Sequence, residues 1–155
     1  MELVSDDKKI RLTPIKFDDI ENLRIWKNSH KDFFFLKKKI NKKDQKSWFE
    51  NIYLKNKNDF MFIIYYKSQT IGTIGCRLIN NYWDIYNVMN VNKNYKGKGI
   101  MSLALKLLIS FMESKSNKDV TAKVLANNSN LKWYLKNNFN VVKEMGNYNF
   151  IKYFK

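Results

Sequence analysis

Apolar positions along the 155-residue chain change their period several times, and each change marks an element. Ile10-Arg11-Leu12-Thr13-Pro14 alternates apolar and polar up to the only proline, which predicts an opening or edge strand. Residues 1 to 9 before it read as a loose N-terminal tail. From Asp18, a candidate N-cap, Ile20, Leu23 and Trp26 or Lys27 recur at helical spacing as far as Asn28-Ser29. Asn41-Lys42-Lys43-Asp44 is a loose capping box, and Trp48, Phe49, Ile52 and Tyr53 then share one face of a second helix ending near Lys55. Three β-branched and aromatic runs follow, Phe60 to Tyr66, Thr70 to Leu78 and Tyr82 to Val91, joined by connections short enough for hairpins. They predict an antiparallel meander. Gly72 and Gly75 interrupt its middle strand, where glycine marks a bulge or the close approach of another backbone.

From Ile100 to Met112 the chain is apolar except for Ser102, Lys106 and Ser110, spaced four apart on one helical face. Asp119 to Val124 returns as a strand, so the helix is the crossover of a parallel pair and the sheet is mixed. Asn128 or Ser129 caps a last helix through Tyr134, which ends at Asn137-Asn138, where asparagine stands in for a left-handed glycine. Phe139 to Met145 and Tyr148 to Phe154 close the chain as a hairpin around Gly146-Asn147. The expectation is one α/β domain over residues 1–155.

Composition narrows the function classes. At 45% hydrophobic the chain suits one substantial core, and no apolar run is long enough to cross a membrane. The N-terminus lacks the basic and apolar regions of a signal peptide, so a cytoplasmic protein is expected. One cysteine excludes an internal disulfide, and one histidine leaves no cluster for structural zinc or another metal. The formal charge of +15 raises nucleic acid as a partner, but the lysines are spread along the chain, and a solvated basic surface is the favoured reading. Nothing in the residues opposes a homodimer.

The stretch from Asn94 to Ser102 packs two of the five glycines into three positions, where an extended run passes into a helical one. Glycines there permit positive φ, and the first N–H groups of the helix point outward without partners, which together make an anion cradle. It is neither a Walker loop nor a dinucleotide fingerprint, because the spacing to Lys-Ser/Thr is wrong and Ser102 stands where a third small residue belongs. Lys96-Gly97-Lys98-Gly99-Ile100-Met101 instead resembles the Arg/Gln-x-x-Gly-x-Gly/Ala pyrophosphate loop of the GNAT family of N-acetyltransferases, with Met101 departing from the last small position. A second stretch agrees in register. Val124 to Asn127, then Tyr134, then Asn138-Phe139, resembles that family's Val-x-x-x-Asn, Tyr and Gly-Phe. Trp26-Lys27-Asn28 resembles the Trp-Arg-Asn of its amino-sugar and ribosomal-protein branch.

The resemblance spans nearly the whole chain. It implies a mixed, mostly antiparallel sheet of about seven strands with helices on both faces, and acetyl-CoA as cosubstrate without a metal. Lys96, Gly97, Lys98, Gly99, Ile100, Met101, Ser102 and Asn127 would bind the cofactor, with Met89 and Val91 pairing their backbones with its pantetheine arm. Tyr134 stands where the family has a tyrosine that protonates the leaving thiolate. At the position of the family's frequent glutamate base this chain has Tyr86, leaving Asp84, two residues earlier on the same side of the strand, and His30 as candidate bases. Trp26, Asn28, Phe34 and Phe35 would shape the acceptor pocket. A small amine such as a nucleotide-linked amino sugar is the expected acceptor. A protein N-terminus is the alternative, and a non-enzymatic nucleic-acid-binding or CoA-binding module is the competing class.

Overall fold

The computed structural model describes residues 1–35 and 38–155, and eight strands form one sheet in it. They are β1 (Leu3–Val4), β2 (Ile10–Pro14), β3 (Asp59–Tyr66), β4 (Gln69–Ile79), β5 (Tyr82–Asn90), β6 (Asp119–Leu125), β7 (Phe139–Glu144) and β8 (Tyr148–Tyr153). The helices are α1 (Ile20–Ser29), α2 (Lys42–Trp48), α3 (Ile100–Lys115) and α4 (Leu131–Lys136). Across the sheet the order is β1-β2-β3-β4-β5-β6-β8-β7, and every neighbouring pair is antiparallel except β5 and β6. The strand beyond the expected seven comes from the supposed tail. Leu3 and Val4 pair with Leu12 and Arg11, and the Ser5 N–H donates to the Ile10 carbonyl at 2.9 Å, so this tail is tied down.

Alternation along the strands feeds two cores. Leu12, Phe62, Ile64 and Ile85 pack with Leu105, Leu108 and Met112 of α3 and with Tyr134 of α4. On the other face, Met61, Ile63 and Met89 meet Ile20 and Leu23 of α1. Helices therefore cover both faces, as expected. Asn41 caps α2, its Oδ1 accepting from the Asp44 N–H at 2.7 Å. Asp18 does not cap α1: a 3-10 turn over Phe17–Asp19 precedes the helix, and the Asp19 carboxylate accepts from the Lys16 N–H at 2.8 Å. The second helix also ends earlier than its periodicity suggests. It widens into a π turn over Phe49–Tyr53, which buries Phe49 and Tyr53 and lets the Tyr53 hydroxyl accept from the Met61 N–H at 3.1 Å.

The glycines of β4 mark the place where the sheet bends. Thr73 is opposite Met89 and Gly75 is opposite Tyr86, so two steps along β4 face three along β5. Asn87 takes a left-handed φ of 51° at this bulge, and its carbonyl accepts from Thr73 Oγ1 at 2.6 Å. Immediately beyond, β5 leans over β4 so closely that a Cβ on Gly72 would lie 1.8 Å from the Met89 carbonyl oxygen. A Cβ on Gly75 would meet chiefly the end of the Met61 side chain, at 2.6 Å. Gly72→Ala should thus cost about 2–3 kcal/mol in urea unfolding, and Gly75→Ala less, because a methionine end yields more easily than a backbone.

Candidate active site

β5 and β6 pair from Tyr82 with Asp119 to Ile85 with Ala122, and no further. Past that point a cavity of about 480 Å³ opens between Tyr86, Asn87 and Val88 on one strand and Lys123 and Val124 on the other. The backbone beside it is oriented by one hydrogen bond, from the Val91 N–H to the Ile71 carbonyl at 2.8 Å, which turns Val91 toward β4. Alternation along the strand turns Met89 the same way, and it turns the polar groups of Val88 and Asn90 toward the open edge. Met89 and Val91, expected to pair with the pantetheine arm, thus turn their own polar groups toward β4. The extra residue at Asn87 sets this facing, since a single insertion inverts the facing of everything after it.

α4 supplies one wall. Tyr134 is 5% exposed, its ring held between Trp133 at 4.8 Å and Phe139 at 5.2 Å between centroids. Its hydroxyl takes no hydrogen bond among the described residues, and Tyr134 is one of the residues that line the cavity. Burial, with Asp84 adding to it, pushes the phenol above its ordinary pKa, so it stays protonated at neutral pH. Asn138, behind it, has the left-handed backbone (φ 68°) that its sequence position predicts. Asn127 is exposed in the turn after β6, and it is Asn128 and Asn130 that face the cavity, with Asn128 Oδ1 accepting from the Asn130 N–H at 2.8 Å.

The floor is a chain of polar side chains crossing three strands. Arg77 on β4 lies directly opposite Asp84 on β5 and donates from Nε to its carboxylate at 3.1 Å. The Arg77 guanidinium also covers the Tyr86 ring, 4.2 Å from its centroid, and the Tyr86 hydroxyl donates to Asp59 on β3. Burial pushes both carboxyls above the usual aspartate range, opposed at Asp84 mainly by Arg77 and at Asp59 mainly by the Tyr86 hydrogen bond.

The remaining wall comes from α1 and the segment after it. Phe34 and Phe35 line the cavity, with the Phe35 ring 5.3 Å from that of Tyr148 on β8. Lys27 places its ammonium 5.2 Å from the centre of the Phe34 ring, and it borders a second cavity of about 180 Å³ shared with Trp48 and Asn87. Burial and the nearby Arg77 lower the Lys27 pKa, and no carboxylate pairs with it among the described residues. Trp26, Asn28 and His30 line neither cavity. Trp26 packs against the α1-side core, and its carbonyl accepts from the His30 Nδ1–H at 2.8 Å. Asn28 clamps the loop: its Nδ2 donates to the Ile40 carbonyl at 2.9 Å and its Oδ1 accepts from the Ile40 N–H at 2.8 Å.

At the far end of β5 the glycine turn has the shape its sequence implies. Gly97 and Gly99 have φ of 73° and 77°, both are exposed, and Gly99 is the N-cap of α3. The first bond into the helix runs from the Leu103 N–H to the Gly99 carbonyl, which leaves the N–H groups of Ile100, Met101 and Ser102 without helical acceptors. Lys96 and Lys98 are exposed beside them, while Ile100 is buried in the core. Ser102 ties this helix end to α4, its Oγ accepting from Trp133 Nε1 at 3.0 Å and from Asn137 Nδ2 at 3.2 Å.

Residues 9–136 match the sequence profile of the acetyltransferase (GNAT) domain. The chain belongs to the GNAT family of acetyltransferases. No curated protein resembles the sequence closely enough to count as a match. Among solved structures, a nucleotide-linked sugar GNAT, FdhC, is similar at a TM-score of 0.80 and 17% identity, covering 99% of this chain and 89% of that one. The acetyl transferase of Salmonella typhimurium that modifies the N-terminal serine of ribosomal protein L7/L12 has a TM-score of 0.73 at 16% identity, covering 98% and 96%. Spermidine N-acetyltransferase from Vibrio cholerae has 0.75 at 14%, covering 93% and 92%.

Of the expected site residues, the fold of this acetyltransferase brings Tyr134, Asp84, Phe34 and Phe35 to one cavity. Sequence reasoning missed Lys27, Arg77, Asn87 and Lys123. Signals existed for three of them. Lys27 follows Leu23 by one helical turn and so shares its inward face, Arg77 falls opposite Asp84 once the hairpin register is set, and Asn87 is the residue best able to absorb the bulge implied by Gly72 and Gly75. Since Asn28 makes two of the bonds that hold Ile40, including the one to its N–H, beside one from Arg24 Nη1 to its carbonyl at 3.2 Å, Asn28→Ala should cost about 1–3 kcal/mol and speed hydrogen exchange at the Ile40 amide, measured by NMR.

Proposed function

We propose that this acetyltransferase moves an acetyl group from acetyl-CoA directly to the primary amine of a small anionic acceptor, with a nucleotide-linked amino sugar as the best candidate. The observation that carries the reading is that Tyr134 and β5, beyond the end of its pairing with β6, line one cavity. An extended pantetheine arm placed along that edge can satisfy the groups of Val88 and Asn90 as an added strand would. Its pyrophosphate then reaches the outward N–H groups of Ile100, Met101 and Ser102, whose positive helix end favours anions, with Lys96 and Lys98 close by.

Attack by a neutral amine on a thioester needs orientation more than new chemistry, and orientation supplies up to roughly 7 kcal/mol or more in favourable intramolecular cases. As the carbon–nitrogen bond forms and the carbon–sulfur bond breaks, charge develops on the sulfur. The Tyr134 hydroxyl, protonated and without an internal acceptor, is suited to give that sulfur its proton.

Charge favours an acidic acceptor. The two cavities, which share Lys27, Trp48 and Asn87, carry among the described residues Lys27, Lys38, Lys39, Arg77 and Lys123 against the carboxyls of Asp44 and Asp84. A polyamine would add cations to this excess, whereas the diphosphate of a nucleotide sugar offsets it. The test is a thiol-release assay with acetyl-CoA and three acceptors: nucleotide-diphosphate-linked amino sugars, a peptide with N-terminal serine, and spermidine. Saturable release should be greatest with the first. Preference for spermidine would overturn the acceptor, and release with no primary amine would overturn the activity. With the working acceptor, Tyr134→Phe should keep its fold and lose about a hundredfold in single-turnover rate, whereas a loss under twofold would remove Tyr134 from the chemistry.

A further inference from the structure

Direct transfer requires that the acceptor nitrogen lose a proton, and neither carboxylate nor imidazole named from the sequence is free to take it. His30 is turned into the Trp26 carbonyl, away from the cavity lining. Asp84 is held by Arg77 across the strand pair. The cavity has another exit for a proton. Tyr86 borders it, and the hydroxyl of Tyr86 already donates to Asp59, a carboxylate 8% exposed on β3 that is absent from the cavity lining and forms no ion pair among the described residues.

We propose that Tyr86 and Asp59 form the proton exit for the acceptor amine. The inference rests on the direct-transfer reading above. As the new carbon–nitrogen bond forms, the nitrogen gives a proton to the Tyr86 oxygen while the Tyr86 hydroxyl hydrogen passes to Asp59 Oδ1, so the phenol is restored and Asp59 becomes a carboxylic acid. The proton that Tyr134 gives to sulfur equals in number the one Asp59 receives. The resting state returns when one proton leaves Asp59 through Tyr86 to solvent in the cavity and one returns to Tyr134.

The surroundings suit this route. Burial raises the Asp59 carboxyl above the ordinary range, which makes it a better proton acceptor, and Asp84 acts in the same direction. Burial and Asp59 raise the Tyr86 phenol in turn, so Tyr86 relays a proton without resting as a phenolate. The charged and titratable groups facing the pair are Arg77 and Cys76 from β4, Asp84 from β5 and Tyr53 from the turn after α2, with Lys27 and Lys123 across the cavity. Arg77 over the Tyr86 ring fixes the phenol in place.

The test uses Asp59→Asn, Asp59→Glu and Tyr86→Phe in the whole protein. With whichever amine the wild type acetylates, Asp59→Asn and Tyr86→Phe should lower kcat/KM about 10- to 100-fold at pH 7, with acetyl-CoA affinity by calorimetry unchanged. For the wild type, kcat/KM should rise with pH as Asp59 loses its proton. Asp59→Asn should lose that limb, so its deficit should be greatest where wild-type Asp59 is ionised and should narrow as pH falls and Asp59 takes up its proton. Asp59→Glu should recover part of the rate. A carbon-13 titration of the Asp59 carboxyl, which needs no acceptor, should place it above the usual aspartate range and higher still in Tyr86→Phe. Wild-type rates with an unchanged acid limb, or an Asp59 that titrates below the usual range, would overturn the proton exit. A wild type that acetylates no amine would sink the proposed activity, and the carboxyl titration would still decide the fate of this pair.

Discussion

One strand cannot keep two neighbours once it carries a residue too many. Between its pairings with Gly75 and Thr73, β5 has an extra residue, and Asn87 absorbs it in a left-handed conformation tied to Thr73. The strand leans toward β4, its parallel pairing with β6 has already ended at Ile85, and polar backbone groups of Val88 and Asn90 face open space. Buried or half-buried backbone groups without partners are costly, and the extended ligand proposed for this edge would supply such partners. Gly72 makes the lean possible by leaving room for the Met89 carbonyl.

The other parts of the site converge on that opening because they hang from neighbouring strands or helices. Arg77 and Asp84 pair across β4 and β5, Asp59 reaches in from β3, and Tyr134 arrives on a helix anchored to the start of α3 through Ser102. The Ser102 junction joins the glycine turn to the helix that carries Tyr134, so displacement of either end shifts both. Lys27 and Arg77 face one cavity with Asp84 as their near counter-charge, an arrangement whose like-charge repulsion an anionic acceptor would relieve.

Much of this was legible in the residues. The period changes located seven strands and four helices, the glycine turn took positive φ at Gly97 and Gly99, and Asn138 took the left-handed position. The eighth strand was not legible, since Leu3-Val4 is too short to show a period and is held by partners at Leu12 and Arg11. Side-chain facing beyond a bulge was also hidden. Sequence indicates that Gly72 and Gly75 disturb the sheet but not on which strand the extra residue sits, so the turn of Met89 and Val91 toward β4 is not legible in it. Trp26 and Asn28 are candidates through the resemblance of Trp26-Lys27-Asn28 to the family's Trp-Arg-Asn, and His30 as a titratable residue beside the phenylalanines. The α1 helix turns Lys27 toward the cavity, as its spacing from Leu23 implies, while the bonds from Asn28 to Ile40 depend on the path of the loop after the helix, which has no period to read.

The central claim is that the cofactor arm pairs with the edge of β5 opened by the Asn87 bulge. Amide hydrogen exchange of the free protein and of the protein saturated with CoA tests it most directly, residue by residue. The account predicts new protection at Val88 or Asn90 and an unchanged Val91 amide, which Ile71 already occupies. Protection gained at Val91 with none at Val88 or Asn90, or CoA binding that leaves β5 unaltered, would contradict it.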